Sequence, residues 1–201
     1  MCKYFKDTPP EGVQVGGFAD YFPKFAGKQH LTMVFTKESL ILDHQQILQK
    51  IKRMAFEIYE QNFGETRLVL AGIHENGYLL AQLLEQELRA ISALELSLLE
   101  VTLHKTEPLA HDIHIQPLPD SLKDTAVVLV DDVLNTGKTL AYTLRAFLDK
   151  DCRKLEIATL INRHHTLYPI TATYTGYSLA TTLREHIRVI YREQEWNAYL
   201  I

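Results

Sequence analysis

Cysteine is scarce. Only Cys2 and Cys152 occur in 201 residues, so a disulfide framework is excluded and a reducing compartment is expected. Long apolar runs are also missing. No stretch approaches the roughly 20 residues that a membrane-crossing helix needs. No basic segment followed by an apolar run stands near Met1, so the expected location is cytoplasmic, with no membrane partner. Positive charge is not in excess. The formal net charge is −4, which counts against a general nucleic-acid binder, because such proteins carry a basic excess or stripe. What is present is a 46% hydrophobic and 23% charged composition, that of a globular chain long enough to bury one sizeable core.

Residues 1–38 stand apart. Pro9, Pro10, Pro23, Gly12, Gly16, Gly17 and Gly27 alternate there with Tyr4, Phe5, Phe18, Tyr21, Phe22 and Phe25. Such a segment is a poor helix, and its aromatics argue against a solvated tail. It is expected to be an arm packed on the domain or on a neighbouring subunit, with a functional lid as the alternative. Residues 39–201 then form the main domain. Asp43 and Gln46 have the form of a capping box, and Ile47, Ile51, Met54, Ala55 and Ile58 follow at helical spacing. Gly64 is the expected stop. Residues 67–73 read as a strand, 74–77 as a loop and 78–91 as a second helix. Leu99, Val101 and Leu103 alternate as in a strand. Residues 104–124 hold Pro108, Pro117 and Pro119 without periodicity, and a mobile functional loop is expected. A strand ending near Val130, a helix over 139–150, a strand over 155–161 and extended stretches at 172–177 and 186–191 complete the chain. This alternation predicts an α/β fold with a mainly parallel central sheet flanked by helices.

The most informative stretch runs from Val127 to Leu140. Four apolar residues lead into Asp131 and Asp132, then Val133, Leu134, Asn135, Thr136, Gly137, Lys138 and Thr139. An apolar run of this kind is a buried parallel strand. Its carboxyl end is where open α/β sheets bind ligands. The following loop brings backbone N–H groups and hydroxyls to a helix start, which suits a phosphate. A hydroxyl-binding acid pair beside an anion cradle fits a sugar phosphate. The nucleotide P-loop is excluded, because it needs glycine where Asp132 stands. A dinucleotide fingerprint is excluded by the spacing of Gly72 and Gly77. His111 with His114, and His164 with His165, lack further ligands at a metal-binding spacing.

The same stretch resembles the phosphoribosyl-diphosphate (PRPP) motif of type I phosphoribosyltransferases. Residues 41–189 are similar to the subgroup of bifunctional pyrimidine-operon attenuators and uracil phosphoribosyltransferases. The similarity is carried by Ile41-Leu42-Asp43, Gly72-Ile73 with Gly77, Val101-Thr102-Leu103-His104-Lys105, the acid motif, Arg163-His164-His165 and Pro169-Ile170. The resemblance implies a type I phosphoribosyltransferase fold with a small hood, and Mg²⁺-dependent transfer of a 5-phosphoribosyl group from PRPP to a nucleobase, uracil being the best single choice. It also implies a homo-oligomer that binds PRPP and a nucleobase or nucleoside monophosphate.

Residue by residue, the resemblance implies that Asp131 and Asp132 act in catalysis, hold the ribose hydroxyls and meet Mg²⁺ arriving with PRPP. Asn135, Thr136, Gly137, Lys138 and Thr139 would hold the 5-phosphate, although Lys138 also reads as a solvated cation at the rim. His74, Glu75, Asn76, Gly77 and Lys105 would face diphosphate. Relatives carry basic residues before this glycine, and an arginine where Lys105 stands. Asn162, Arg163, Tyr174 and Thr175 would form the base site, with Tyr174 stacking on the base. The plainer readings are an aromatic on a half-buried strand for Tyr174 and a surface arginine for Arg163. Two other functions compete. One is a PRPP- or nucleotide-sensing regulator that also binds RNA, which the acidic charge does not favour. The other is a catalytically weak PRPP-binding protein.

Overall fold

The computed structural model describes residues 38–103, 113–119, 121–182 and 184–201. The expected arm, apart from Glu38, lies outside them, as do residues 104–112 with Lys105. In chain order the elements are β1 (Ser39–Leu42), α1 (His44–Gln61), β2 (Arg67–Ile73), α2 (Asn76–Ile91), β3 (Glu95–Thr102), β4 (His114–Gln116), β5 (Ala126–Leu134), α3 (Lys138–Leu148), β6 (Lys154–Asn162), β7 (Tyr174–Ser178), β8 (Ile187–Arg192) and β9 (Glu195–Leu200). Among the described residues no helix is long and apolar enough to cross a membrane.

Six strands form one sheet in the order β4-β3-β2-β5-β6-β7. All pairings are parallel except that of β4 with β3. Its two faces are both covered, which is why β2 and β5 are near-continuous apolar runs. On one face α1 and α2 bring Ile47, Ile51, Met54, Leu80 and Leu84 onto Leu68, Leu70, Val128 and Val130. On the other, Leu140 and Phe147 of α3 pack on Val69, Ala71, Val127 and Leu129. Successive strand residues point to opposite faces, so β2, β3, β5 and β6 each feed both clusters.

Local chemistry sets the element ends. The capping box at α1 is complete: the Gln46 N–H donates to Asp43 Oδ1 (2.9 Å), and the Asp43 N–H donates to Gln46 Oε1 (3.0 Å). The helix closes at Asn62 rather than at Gly64. The Asn62 N–H reaches back to the carbonyls of Ile58 and Tyr59, and its side chain is held in a buried network described below. At the β7 edge, Arg53 of α1 donates to the carbonyls of Thr175 (2.6 Å) and Gly176 (3.2 Å). A charged side chain thus covers backbone groups that an edge strand would otherwise offer to another chain.

A second, antiparallel sheet has the order β1-β9-β8. Val189, Trp196 and Ala198 join it to the core beneath α1 and α2. This is the hood expected from the resemblance. β8 and β9 turn through Glu193 and Gln194, both at positive φ (53° and 66°), as a two-residue hairpin requires. Neither is the glycine or asparagine that would announce such a turn, so β9 is silent in the sequence. The 104–124 segment also departs from expectation, since His114–Gln116 pairs with Glu100–Thr102 of β3.

Candidate functional site

The chain turns to opposite sides of the sheet from β2 and from β5. From β2 it adds β3 and β4 on one side, and from β5 it adds β6 and β7 on the other. Such a switch point leaves a crevice at the carboxyl ends of the two strands. Registers locate it. The β2–β5 ladder stops at Gly72 opposite Val130, whereas the β5–β6 ladder continues to Leu134 opposite Asn162. Asp131 and Asp132 therefore sit inside β5, not beyond it, on the segment that has lost its β2 neighbour.

The two acids face different surroundings. Asp131 lines a cavity of ≈130 Å³ together with Val133, Asn135, Thr136, Gly137, Lys138 and Thr139. Its Oδ1 accepts the Asp132 N–H at 3.0 Å. Asp132 turns towards α2. Its Oδ2 accepts from the Asn76 side-chain amide at 2.9 Å, and its Oδ1 accepts the Val133 N–H at 2.9 Å. Both acids are half-buried, so their charge acts in a medium that screens it less than bulk water does.

The loop after β5 brings backbone N–H groups and hydroxyls to the start of α3. Gly137 caps α3 with φ 77°, a conformation glycine adopts without steric cost. A Cβ there would also stand 3.1 Å from Ile170 Cβ. The Thr136 carbonyl is held by the N–H groups of Leu167 (2.8 Å) and Tyr168 (3.1 Å). The Lys138 N–H reaches Thr136 Oγ1 at 3.3 Å. Thr136, Lys138 and Thr139 thus ring the start of α3, where the helix dipole favours negative charge.

Across the crevice lies the loop after β2. His74 Nδ1 contacts Glu100 Oε1 at 2.6 Å, and the His74 N–H donates to the Val101 carbonyl at 2.8 Å. Glu75 has φ 70° and ψ −121°, a strained combination for a residue with a side chain. Asn76 donates to Val189 O as well as to Asp132. It thereby ties this loop to the acid pair and to the hood, a role the sequence did not disclose. A Cβ on Gly77 would lie 2.8 Å from Val130 O and 3.2 Å from Asp131 Cα. Only glycine lets the start of α2 rest on the acid-bearing strand. Residues 74–77 include neither lysine nor arginine.

The base end needs correction. Tyr174 does not face the crevice. It begins β7 opposite Ala158, far from the strand's carboxyl end, and its side chain is 2% exposed. The Asn62 amide donates to its hydroxyl (3.2 Å) and to Glu156 Oε2 (2.9 Å). Lys154 Nζ pairs with Glu156 Oε1 at 2.8 Å. Burial, reinforced by the Glu156 carboxylate, pushes the Tyr174 phenol well above its ordinary value. This is a packing network at the amino ends of the strands. The carbonyls of Thr175 and Gly176 are likewise taken by Arg53. At the carboxyl end, Asn162 pairs with Ser178, and its carbonyl accepts the Leu179 N–H at 3.0 Å. Its Oδ1 accepts the His164 N–H at 2.9 Å. Arg163 is buried, not a surface residue. Tyr174→Phe is expected to lower stability by about 1–2 kcal/mol, through the lost hydroxyl contacts, with base KM unchanged. Denaturant unfolding beside steady-state kinetics checks this, and a raised base KM at unchanged stability would return Tyr174 to the site.

The geometry now has relatives to stand beside. The family described as "Phosphoribosyl transferase domain" matches residues 38–190. The Bifunctional protein PyrR of Pelotomaculum thermopropionicum is 36% identical over 164 residues, 78% of this chain and 91% of the relative. The protein of the same name from Alkaliphilus metalliredigens is 34% identical over 160 residues, 76% of this chain and 88% of the relative. Among solved structures, the hypoxanthine phosphoribosyltransferase of Trypanosoma cruzi aligns with a TM-score of 0.65 and 17% identity, over 80% of this chain and 95% of that one. A hypoxanthine-guanine phosphoribosyltransferase of Bacillus anthracis gives 0.61 and 17%, over 75% and 86%. At such identity the two structures speak for the fold alone. The family match and the sequence relatives go further: the chain belongs to the type I phosphoribosyltransferase family.

Proposed function

We propose that this protein transfers a 5-phosphoribosyl group from PRPP to a nucleobase, releasing diphosphate, and that the base is uracil. The observation that supports it best is the carboxyl end of β5, where Asp131 and the 135–139 loop line one cavity. The 135–139 loop would hold the 5-phosphate, and the acids of β5 would accept the ribose hydroxyls. As the bond from ribose C1 to diphosphate lengthens, positive charge grows on the sugar, and two half-buried carboxylates beside it stabilise that charge. The base nitrogen would approach from the side of Asn162 and residues 178–182, at the carboxyl ends of β6 and β7.

Mg²⁺ fits this donor set. Among the described residues no group of three or more His, Cys, Asp or Glu side chains could hold a metal. Mg²⁺ is commonly held by one or two carboxylates together with substrate phosphates, and Asp131 and Asp132 are hard oxygen donors of that kind. When bound it would neutralise charge on the diphosphate.

A second reading is a PRPP-binding sensor with little turnover, and the 74–77 loop favours it. The loop lacks a lysine or arginine, and Asn76 is already bonded to Asp132. Turnover assays with Mg²⁺, PRPP and each of uracil, hypoxanthine, guanine, adenine and xanthine separate the two readings. Uracil-dependent diphosphate release is the expected result. PRPP binding without release from any base would establish the sensor, and a salt-dependent shift with pyrimidine leader RNA would add the regulatory role of the resembling subgroup.

Glu75 provides a sharper test of the diphosphate loop. Its backbone conformation is one that glycine adopts readily, so Glu75→Gly should relieve strain and raise stability by about 1 kcal/mol. It also removes a negative charge beside the proposed diphosphate, so PRPP should bind as tightly or more tightly. Denaturant unfolding and calorimetric titration measure both. A clear loss of PRPP affinity would assign the carboxylate a needed role in binding.

A further inference from the structure

Arg163 is 4% exposed, and a buried guanidinium is expensive unless its N–H groups are all but satisfied. Its partners come from two separate loops. On one side Nη1 donates to Asn135 Oδ1 at 2.8 Å, and the Arg163 backbone N–H donates to the Leu134 carbonyl at 3.0 Å. Both belong to the end of β5 and the loop that lines the phosphate cavity. On the other side Nε and Nη2 donate to Thr181 Oγ1 at 3.0 and 2.9 Å. Nη2 also reaches the carbonyls of Thr182 (3.4 Å) and Glu185. His165 Nε2 contacts the Thr181 carbonyl at 2.5 Å and braces the same turn. The partners are neutral oxygens. The Glu185 carboxylate is turned to the Thr182 N–H instead (2.6 Å). Burial lowers the Arg163 pKa from its ordinary value, with the Glu185 charge opposing.

A charge without a bonded carboxylate adds little as an ion pair, but its planar fork is well suited to fixing several acceptors at once. We propose that Arg163 is a positioning residue that couples the phosphate loop to the 178–186 segment at the base end. Filling the cavity at residues 135–139 fixes Asn135, Asn135 fixes the guanidinium, and the guanidinium holds the turn through Thr181, Thr182 and Glu185. Occupation of one half of the crevice thereby orders the other before the base arrives. The inference rests on the reading of the 135–139 loop as a phosphate site.

Hydrogen exchange with ribose 5-phosphate as the probe tests it without knowledge of the base. In the wild-type protein the probe should slow exchange in peptides covering both 131–140 and 178–186, the latter by on the order of 5-fold, the low end of ordinary site-to-site coupling. In Arg163→Gln the protection at 131–140 should persist, while that at 178–186 disappears. Arg163→Lys, which keeps charge but loses the fork, should retain only a part. Thr181→Val removes one acceptor and leaves the rest of the clamp, so it should weaken the distant protection even if the arginine variants do not fold. Protection at 178–186 that survives in Arg163→Gln or is untouched in Thr181→Val overturns the clamp, as does wild-type protection confined to 131–140. No protection at 131–140 in the wild type overturns instead the phosphate-site reading on which the clamp rests.

Discussion

Replacing Asp131 and Asp132 together by asparagine should reduce turnover by a factor on the order of 10³ or more, since loss of a single preorganised stabilising group at a developing charge typically costs about 10²–10³. The two positions are not equivalent. Asp131 lines the cavity proposed to take the phosphate, and its removal should act mainly on chemistry and PRPP binding. Asp132 is also structural. Both its oxygens accept N–H donors, one from Asn76 and one from Val133. Asparagine offers one acceptor oxygen, so its amide must face one of those donors. Asp132→Asn should therefore cost about 1–3 kcal/mol of stability. Diphosphate release and thermal unfolding of both single variants and the double variant test this. Near-normal turnover in the double variant would remove the acids from the reaction.

Much of the scaffold is legible before any coordinates. β2, β5 and β6 are visible because strands buried on both faces must be apolar throughout. The α1 start is visible because a capping box is a local, reciprocal pattern. The acid motif and Gly137 are visible because their chemistry lies within ten consecutive residues. The failures share a cause as well. Whether Tyr174 lies at the carboxyl end of its strand depends on its register against β6, and register is set by partners distant in sequence. That Arg163 is buried depends on Thr181, Thr182 and Glu185 lying against it. Asn76 looks like an ordinary helix-start residue until Asp132 and Val189 are placed beside it. β1 and β4 are too short to declare a period, and the turn before β9 lacks the usual residues.

The close seating of α2 on the sheet leads to the largest expected stability effect. A Cβ at Gly72 would stand 2.4 Å from Tyr78 Cα, 2.8 Å from the Gly77 carbonyl and 2.9 Å from Ala81 Cβ. Two of these are backbone atoms of the helix, so no side-chain rotation relieves the clash. Gly72→Ala must push α2 off β2, in a part of the core where Leu80, Ala81 and Leu84 are fully buried. Overpacking on this scale should destabilise by roughly 3 kcal/mol or more, which lowers Tm by about 6–12 °C for a domain of this size. Gly77→Ala is the informative companion. Its Cβ would press on Val130 O and Asp131 Cα, at the edge of the crevice rather than in mid-core. It should cost less stability, about 1–3 kcal/mol, yet more activity, because separating α2 from β5 breaks the Asn76 contact with Asp132 and displaces the loop facing the proposed diphosphate. Thermal unfolding and PRPP-dependent turnover measured on both variants decide the matter. A Gly72→Ala protein with wild-type Tm would mean that α2 does not rest on β2 as described, and the crevice built on that contact would have to be redrawn.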